Sequence, residues 1–253
     1  MAKPLSPEKQ PRRERGVWVP ARPELELTPR QLVRPLLWAL PGVGILAGVS
    51  YFAWDDDVAA WVHHAPRWLR QTADAITQTG SSVPTITYAI LATIVLALFR
   101  RWSLVSNALV LLYALIMTGA INFSLKFTLG RARPSTNVVR EGGVDVWSEG
   151  PRGFFLFETG YKYMGFPSGH SATAGAIAAV GVMLLPKLWP VWLAYAVVIP
   201  ATRVLTNAHY VADTVVGVWV GAMSACLSTW LCLRFIAWRE AVAQRARLDD
   251  AAP

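Results

Sequence analysis

The sequence predicts an all-α fold: a polytopic six-span transmembrane helical bundle with an interfacial helix and a functional loop on the outer face. Three observations predict it. The 253 residues are 54% hydrophobic and only 16% charged, with 12 tryptophans. A helix needs about 20 apolar residues to cross a bilayer, and the chain offers several such runs. The basic residues fall between and outside these runs, where membrane topology places them. The formal net charge of +8 therefore does not speak for nucleic acid. Cys226 and Cys232 share one apolar run and point in different directions on a helix, so an intrachain disulfide is not expected.

Taken in order, residues 1–32 are polar and basic, with Arg12, Arg13 and Arg15 clustered, and read as a disordered cytoplasmic tail. The first span covers 33–54. The connection 55–82 carries Asp55-Asp56-Asp57 and His63-His64, and its Val58, Trp61, Val62, Ala65, Trp68, Leu69 and Ile76 recur at near-helical spacing. A helix lying on the membrane surface is expected there, with the acidic triplet and paired histidines solvated rather than holding a metal. The second span, 83–99, ends in the turn Arg100-Arg101-Trp102, and the third covers 104–125. The glycine-rich loop 126–166 has no apolar run able to cross. The fourth and fifth spans, 170–185 and 188–205, are separated by Pro186-Lys187, with a bend expected at Pro200. The sixth covers 211–238, and 239–253 forms a second tail. One domain, 33–238, is thus flanked by two tails. Six spans put both termini on one side together with Arg100, Arg101 and Lys187. The excess of basic residues makes that side cytoplasmic.

Three polar clusters stand at span ends. Lys126 is followed seven residues later by Arg133-Pro134; Pro167-Ser168-Gly169-His170 opens the fourth span; Arg203, His209 and Asp213 bracket the start of the sixth. No span separates the first from the second, and two separate the second from the third, so all three reach one membrane face. Ser168 is a good N-cap, and the first N–H groups of the helix beyond it lack intrahelical partners at the positive end of the dipole. That is an anion site carrying a histidine. Lys126, Arg133 and Arg203 add three cations, two of them able to hold oxyanions in bidentate fashion. His209 and Asp213, four apart on a helix, share a face, so the carboxylate could fix the imidazole tautomer and free the other nitrogen to attack. His170 is then available as a general acid.

Lys126-x6-Arg133-Pro134, Pro167-Ser168-Gly169-His170 and Arg203-x5-His209-x3-Asp213 resemble the three signature motifs of the type 2 phosphatidic acid phosphatase superfamily. The third motif of that family usually begins Ser-Arg, and here Thr202-Arg203 keeps the hydroxyl. The resemblance implies a helical bundle and a metal-independent reaction without a cofactor. It also implies a phosphohistidine on His209, with His170 as acid and Asp213 supporting the nucleophile. Lys126, Arg133, Ser168, Gly169 and Arg203 would cradle the phosphate.

On that footing the chain is expected to be a lipid phosphatase of a bacterial inner membrane with its site on the periplasmic face. Phosphatidic acid, phosphatidylglycerophosphate, polyprenyl diphosphate and lipid A types all offer a suitable phosphoryl group. Its partners are the bilayer and that lipid, with no nucleic acid. A lipid phosphotransferase would use the same residues, whereas the related vanadium-dependent haloperoxidases are soluble. A non-catalytic membrane protein would be favoured by loss of the nucleophile, yet His209 is present. Phe154, Phe155 and Phe157 either admit lipid chains or form an interfacial belt. Arg131, Arg140, Arg152 and Lys162 either attract anionic headgroups or are simply solvated.

Overall fold

In an apolar setting a helix satisfies its own backbone polar groups, and the long apolar runs of this chain all fold that way. The computed structural model describes residues 23–141, 144–148, 153–158 and 160–251, and two short paired strands at Arg12–Glu14 (β1) and Val17–Val19 (β2). The other residues of the expected disordered tail before 23, and Arg152, lie outside the described residues. The helices are α1 (Pro29–Val49), α2 (Asp55–His63), α3 (Arg67–Thr77), α4 (Ser82–Leu98), α5 (Trp102–Leu129), α6 (Gly169–Leu184), α7 (Trp189–Leu205) and α8 (Val211–Ala251). A hairpin, β3 (Val138–Glu141) and β4 (Val144–Trp147), folds within the long loop, with Val138 opposite Trp147.

Four helical stretches are long and apolar enough to cross a bilayer: Pro29–His63, Trp102–Leu129, Pro186–Leu205 and Val211–Ala246. A fifth results if Arg67–Gly80 and Ser82–Leu98, bent by 44° at their junction, act together. Helix α6 is apolar but has only 16 residues.

Five sequence expectations change. The chain does not leave its first helix at Asp55: a five-residue π-turn, Ser50–Trp54, joins α1 to α2. Asp55 is 2% exposed rather than solvated, and a carboxylate tolerates that burial only because it is paired. The connection 55–82 makes two helices, α2 and α3, interrupted near Pro66, the residue before α3. Residues just before α1 are docked, since Glu26 and Leu27 donate their N–H groups to Met183 O at 2.8 and 3.0 Å. Helix α8 also runs on well beyond the expected end at 238.

The core lies between α5, α6 and α8, where Val110, Ala114 and Leu115 meet Ala176, Ala179, Val180 and Met183, with Ala222 and Ala225 closing it. Small residues let backbones approach closely. A side chain at Gly221 would strike the backbone of Ala172, and one at Gly175 the backbone of Val218. This close approach carries the start of α6 against the start of α8, where Ser168 N–H donates to Asp213 O at 3.0 Å. A lateral cleft of about 680 Å³ between α1, α5 and α8 is lined by Val33, Ile121, Leu125, Val220 and Met223 among others.

Candidate active site

Helix α5 ends at Gly130, whose φ of +52° is a left-handed conformation that glycine adopts at little cost. That stop leaves Lys126 in the last turn, where its Nζ donates to Met164 O at 2.7 Å. The chain beyond it is extended and returns beside itself: Gly165 N–H donates to Arg131 O at 2.8 Å, and Arg133 N–H to Lys162 O at 2.9 Å. Loop residues 131–133 and 162–165 are thereby locked together under the ends of α6 and α8.

Arg133 lies at the centre of this arrangement. Its Nε donates to Tyr161 O at 2.9 Å, Nη2 to Met164 O at 3.1 Å and Nη1 to Ala208 O at 3.3 Å, while Nη1 also lies 3.4 Å from His209 Nε2. Its guanidinium stacks 4.1 Å from the Tyr161 ring centroid. Burial pulls its proton affinity below the usual arginine value, opposed by Tyr161 and Asp213.

His209 is buried in the turn between α7 and α8. Its Nδ1 lies 2.7 Å from Gly165 O, and since a carbonyl only accepts, Nδ1 carries the proton. Nε2 is then the unprotonated nitrogen, aimed toward Arg133. The ring's pKa is held well below its ordinary value, first by burial and then by Lys126, Arg133 and Arg203, with the bond to Gly165 opposing. The three cations therefore converge on one imidazole. The expected Asp213 hydrogen bond to that ring is not made: Asp213 Oδ2 stands 3.7 Å from Nδ1. It accepts instead from Tyr210 N–H at 3.0 Å, the geometry of a helix N-cap three residues away. A backbone carbonyl has taken the orienting role that spacing assigned to the carboxylate.

Ser168 is fully buried and caps α6, accepting from Ser171 Oγ at 3.0 Å, while its own N–H is bonded to Asp213 O. Its polar groups are thus engaged within the fold. Gly169 and His170 supply the first N–H groups of α6, which have no intrahelical acceptor. A side chain at Gly169 would meet Lys126 Cε at 3.8 Å, so α6 begins directly over the lysine. Arg203 closes the α7 side, with Nη1 donating to Thr77 Oγ1 at 3.4 Å; its buried Nε has no acceptor among the described residues. The structure therefore brings all three sequence clusters to one place.

Two residues of this site escaped the sequence reading. Arg131, expected as a solvated or headgroup-attracting charge, is 1% exposed and bridges two carboxylates, Asp213 Oδ1 at 2.5 Å and Asp55 Oδ2 at 2.7 Å. Burial alone would weaken its charge, but Asp213 and Asp55 outweigh it and raise its proton affinity. Tyr210 and Tyr51 cover the guanidinium at 4.4 and 4.7 Å, with Phe154 at 5.8 Å. Phe154 thus forms part of a wall around Arg131. Asp55 also accepts from Ser50 Oγ at 2.6 Å and Ala212 N–H at 3.2 Å. The legible signal was topological: the connection after the first span reaches the same face as the three clusters, so an acid there could meet a surplus arginine.

A lipid A 1-phosphatase of Rhizobium johnstonii is 31% identical over 118 residues, covering 47% of this chain and 45% of its own length. A lipid A 1-phosphatase of Rhizobium etli is 31% identical over 113 residues, covering 45% of each chain. The matches thus span about half the length of these curated relatives. Two crystal structures share the fold, each with a TM-score of 0.51. One is a transmembrane PAP2-type phosphatidylglycerolphosphate phosphatase from Bacillus subtilis, 20% identical, covering 82% of this chain and 96% of its own. The other is Aquifex aeolicus LpxE, 21% identical, covering 70% of this chain and 95% of its own. A family model described as the PAP2 superfamily matches residues 107–237, just over half the chain. That segment holds Lys126, Arg133, His170, Arg203 and His209, and the chain belongs to the PAP2 superfamily.

Proposed function

We propose that this protein is an integral-membrane, metal-independent phosphatase that hydrolyses a lipid phosphate of the lipid A type through a phosphohistidine intermediate. The observation that carries the reading is His209: its Nδ1–H is held by Gly165 O, its unprotonated Nε2 faces Arg133, and the charges of Lys126, Arg133 and Arg203 act on it. Attack by Nε2 on phosphorus forms the N–P bond and breaks the P–O bond to the lipid. The leaving oxygen takes a proton from His170, which the negative charge of the bound phosphate keeps protonated against the nearby Arg203, Arg133 and Lys126. Water then attacks the phosphorus, giving its proton back to His170 and releasing inorganic phosphate and neutral His209. Once phosphorylated, the imidazole becomes cationic, and the Asp213 carboxylate 3.7 Å away is placed to stabilise it.

Lys126, Arg133 and Arg203, with the N–H groups of Gly169 and His170, stabilise charge on the transferring phosphoryl oxygens. Side-chain cations thereby supply the charge stabilisation a metal would otherwise give. Asp55 and Arg131 hold Asp213 in position. On this reading α4 and α6 join the longer helices as spans, both termini lie in the cytoplasm of a bacterium, and the site faces the periplasmic side of its inner membrane. The relatives named as lipid A 1-phosphatases favour that lipid over phosphatidic acid, phosphatidylglycerophosphate or polyprenyl diphosphate.

The test is phosphate release by detergent-purified protein from each of these four lipids, with excess chelator, beside His209→Ala. Release from lipid A that the variant lacks supports the reading. Release equal in both proteins, or absent without added divalent metal, overturns it. Transfer of the phosphoryl group to an added acceptor lipid instead of water would make the protein a phosphotransferase.

A further inference from the structure

A second, polar cleft opens beside the candidate phosphate site, and none of the residues discussed so far as catalytic lines it. It is built on α3, whose two faces differ sharply. Ala73 and Thr77 are buried, one helical turn apart. Arg67, Arg70, Gln71 and Asp74 recur at i, i+3, i+4 and i+7 and so form one polar face. With Thr206 they line a cleft of about 420 Å³. That size is within the range of small-ligand sites.

The cleft and the phosphate site share a wall. Thr206 follows Arg203 by three residues and donates its Oγ1 to Arg203 O at 3.2 Å. Arg203 in turn reaches Thr77, at the end of α3, at 3.4 Å. Asp74 stands three residues before Thr77 on α3, so it lies on the turn that Arg203 reaches. Among the described residues, neither Arg67 nor Arg70 is in an ion pair. Two free guanidiniums are suited to a phosphate; Gln71, Asp74 and Thr206 are suited to hydroxyl groups.

We propose that this cleft is a headgroup subsite that takes the second phosphate and adjoining hydroxyls of a phosphorylated sugar lipid whose other phosphate sits at His209. The proposal rests on the phosphatase reading above and narrows its substrate. A lipid with one phosphate on glycerol would leave the cleft empty, so the cleft discriminates between substrates without touching the reacting atoms.

The experiment compares the wild type with Arg67→Gln/Arg70→Gln in detergent micelles on three substrates: bisphosphorylated lipid A, the same lipid A lacking its distal phosphate, and phosphatidic acid. The wild type is expected to favour the bisphosphorylated lipid by about tenfold or more in kcat/KM, as two charge-assisted contacts allow, with kcat changed less than about twofold. The double variant should lose that preference through KM and keep its rate on phosphatidic acid. Equal losses on all three substrates, or none, would overturn the subsite. A separate arm adds phosphatidylglycerol: if it activates wild-type turnover of phosphatidic acid but not that of the variant, the cleft binds another lipid's headgroup and the proposal fails. Calorimetric binding of the two lipid A forms to His209→Ala reads the cleft without turnover. Weaker binding of the bisphosphorylated form once Arg67→Gln/Arg70→Gln is added supports it, and unchanged binding overturns it. Failure of the phosphatase reading shows separately, as wild-type release no greater than that of His209→Ala.

Discussion

Arg131 Nη1 meets Asp213 Oδ1 at 2.5 Å with both side chains buried, and the other arm of the same guanidinium holds Asp55. One cation between two carboxylates ties the start of α2 to the loop after α5 and to the start of α8. Asp55 lies outside the segment matched by the family model, so the N-terminal helix completes a part of the site that the signature motifs do not contain.

Removing the shared cation should therefore do more harm than removing one acid. Breaking a buried pair costs about 3–5 kcal/mol because the remaining charge is left without a partner. Arg131→Met strands two carboxylates and should lower the unfolding temperature sharply. Asp55→Asn leaves the Arg131–Asp213 pair and should cost less. The double variant strands fewer charges than Arg131→Met, so the losses should be less than additive. Thermal unfolding of the four proteins in one detergent checks this, and additive losses would refute the shared-cation picture.

His209 should be neutral at neutral pH with its proton on Nδ1. Burial and three cations lower its pKa well below 6.5, so the ring protonates only at clearly acidic pH. The linkage sign follows: below pH 6.5 the unfolded chain binds a proton that the folded ring refuses, so stability falls as pH falls. Nitrogen-15 NMR of the four histidines, assigned with His209→Ala, reads both tautomer and titration directly. An Nε2–H tautomer, or titration at 6.5 or above, would contradict the geometry.

Gly165 should resist substitution. Its carbonyl orients His209, and a Cβ at this position would lie 2.6 Å from Arg131 O, a backbone atom that cannot move alone. Gly165→Ala is expected to destabilise the fold by about 1–3 kcal/mol, as overpacking does. It should also cut kcat, because the Nδ1 acceptor shifts with the loop. A fully active, stable alanine variant would show that the carbonyl does not set the tautomer.

How much of this was legible depended on where each interaction came from. Helical bundling followed from apolar runs, and convergence of Lys126, Arg133, His170, Arg203 and His209 followed from counting spans. Asp55 did not, because an acidic triplet beside a span looks solvated until its partner is known. Arg131 escaped for the same reason: its charge is hidden by Asp55 and Asp213, and neither is its neighbour in sequence. The Gly165 carbonyl was out of reach because every residue has one, and only the folded loop shows which carbonyl faces the imidazole. The β3–β4 hairpin was masked by glycines that read as loop.

Arg133 offers the sharpest separation of charge from shape. Its guanidinium reaches Tyr161 O, Met164 O and Ala208 O with three different nitrogens while one of them faces His209 Nε2. A lysine keeps the positive charge but has a single ammonium on a flexible stem, so it cannot reproduce a planar fork. If charge alone mattered, Arg133→Lys would be nearly as active as wild type. The geometry predicts otherwise: kcat/KM should fall by about 10²–10³, the usual scale for losing one positioned donor to a developing anion. Arg133→Ala should lose at least as much, and Arg133→Lys should bind inorganic phosphate better than Arg133→Ala does. Steady-state kinetics with phosphate as product inhibitor measures both quantities. A lysine variant within about threefold of wild type would mean that Arg133 acts only as a point charge.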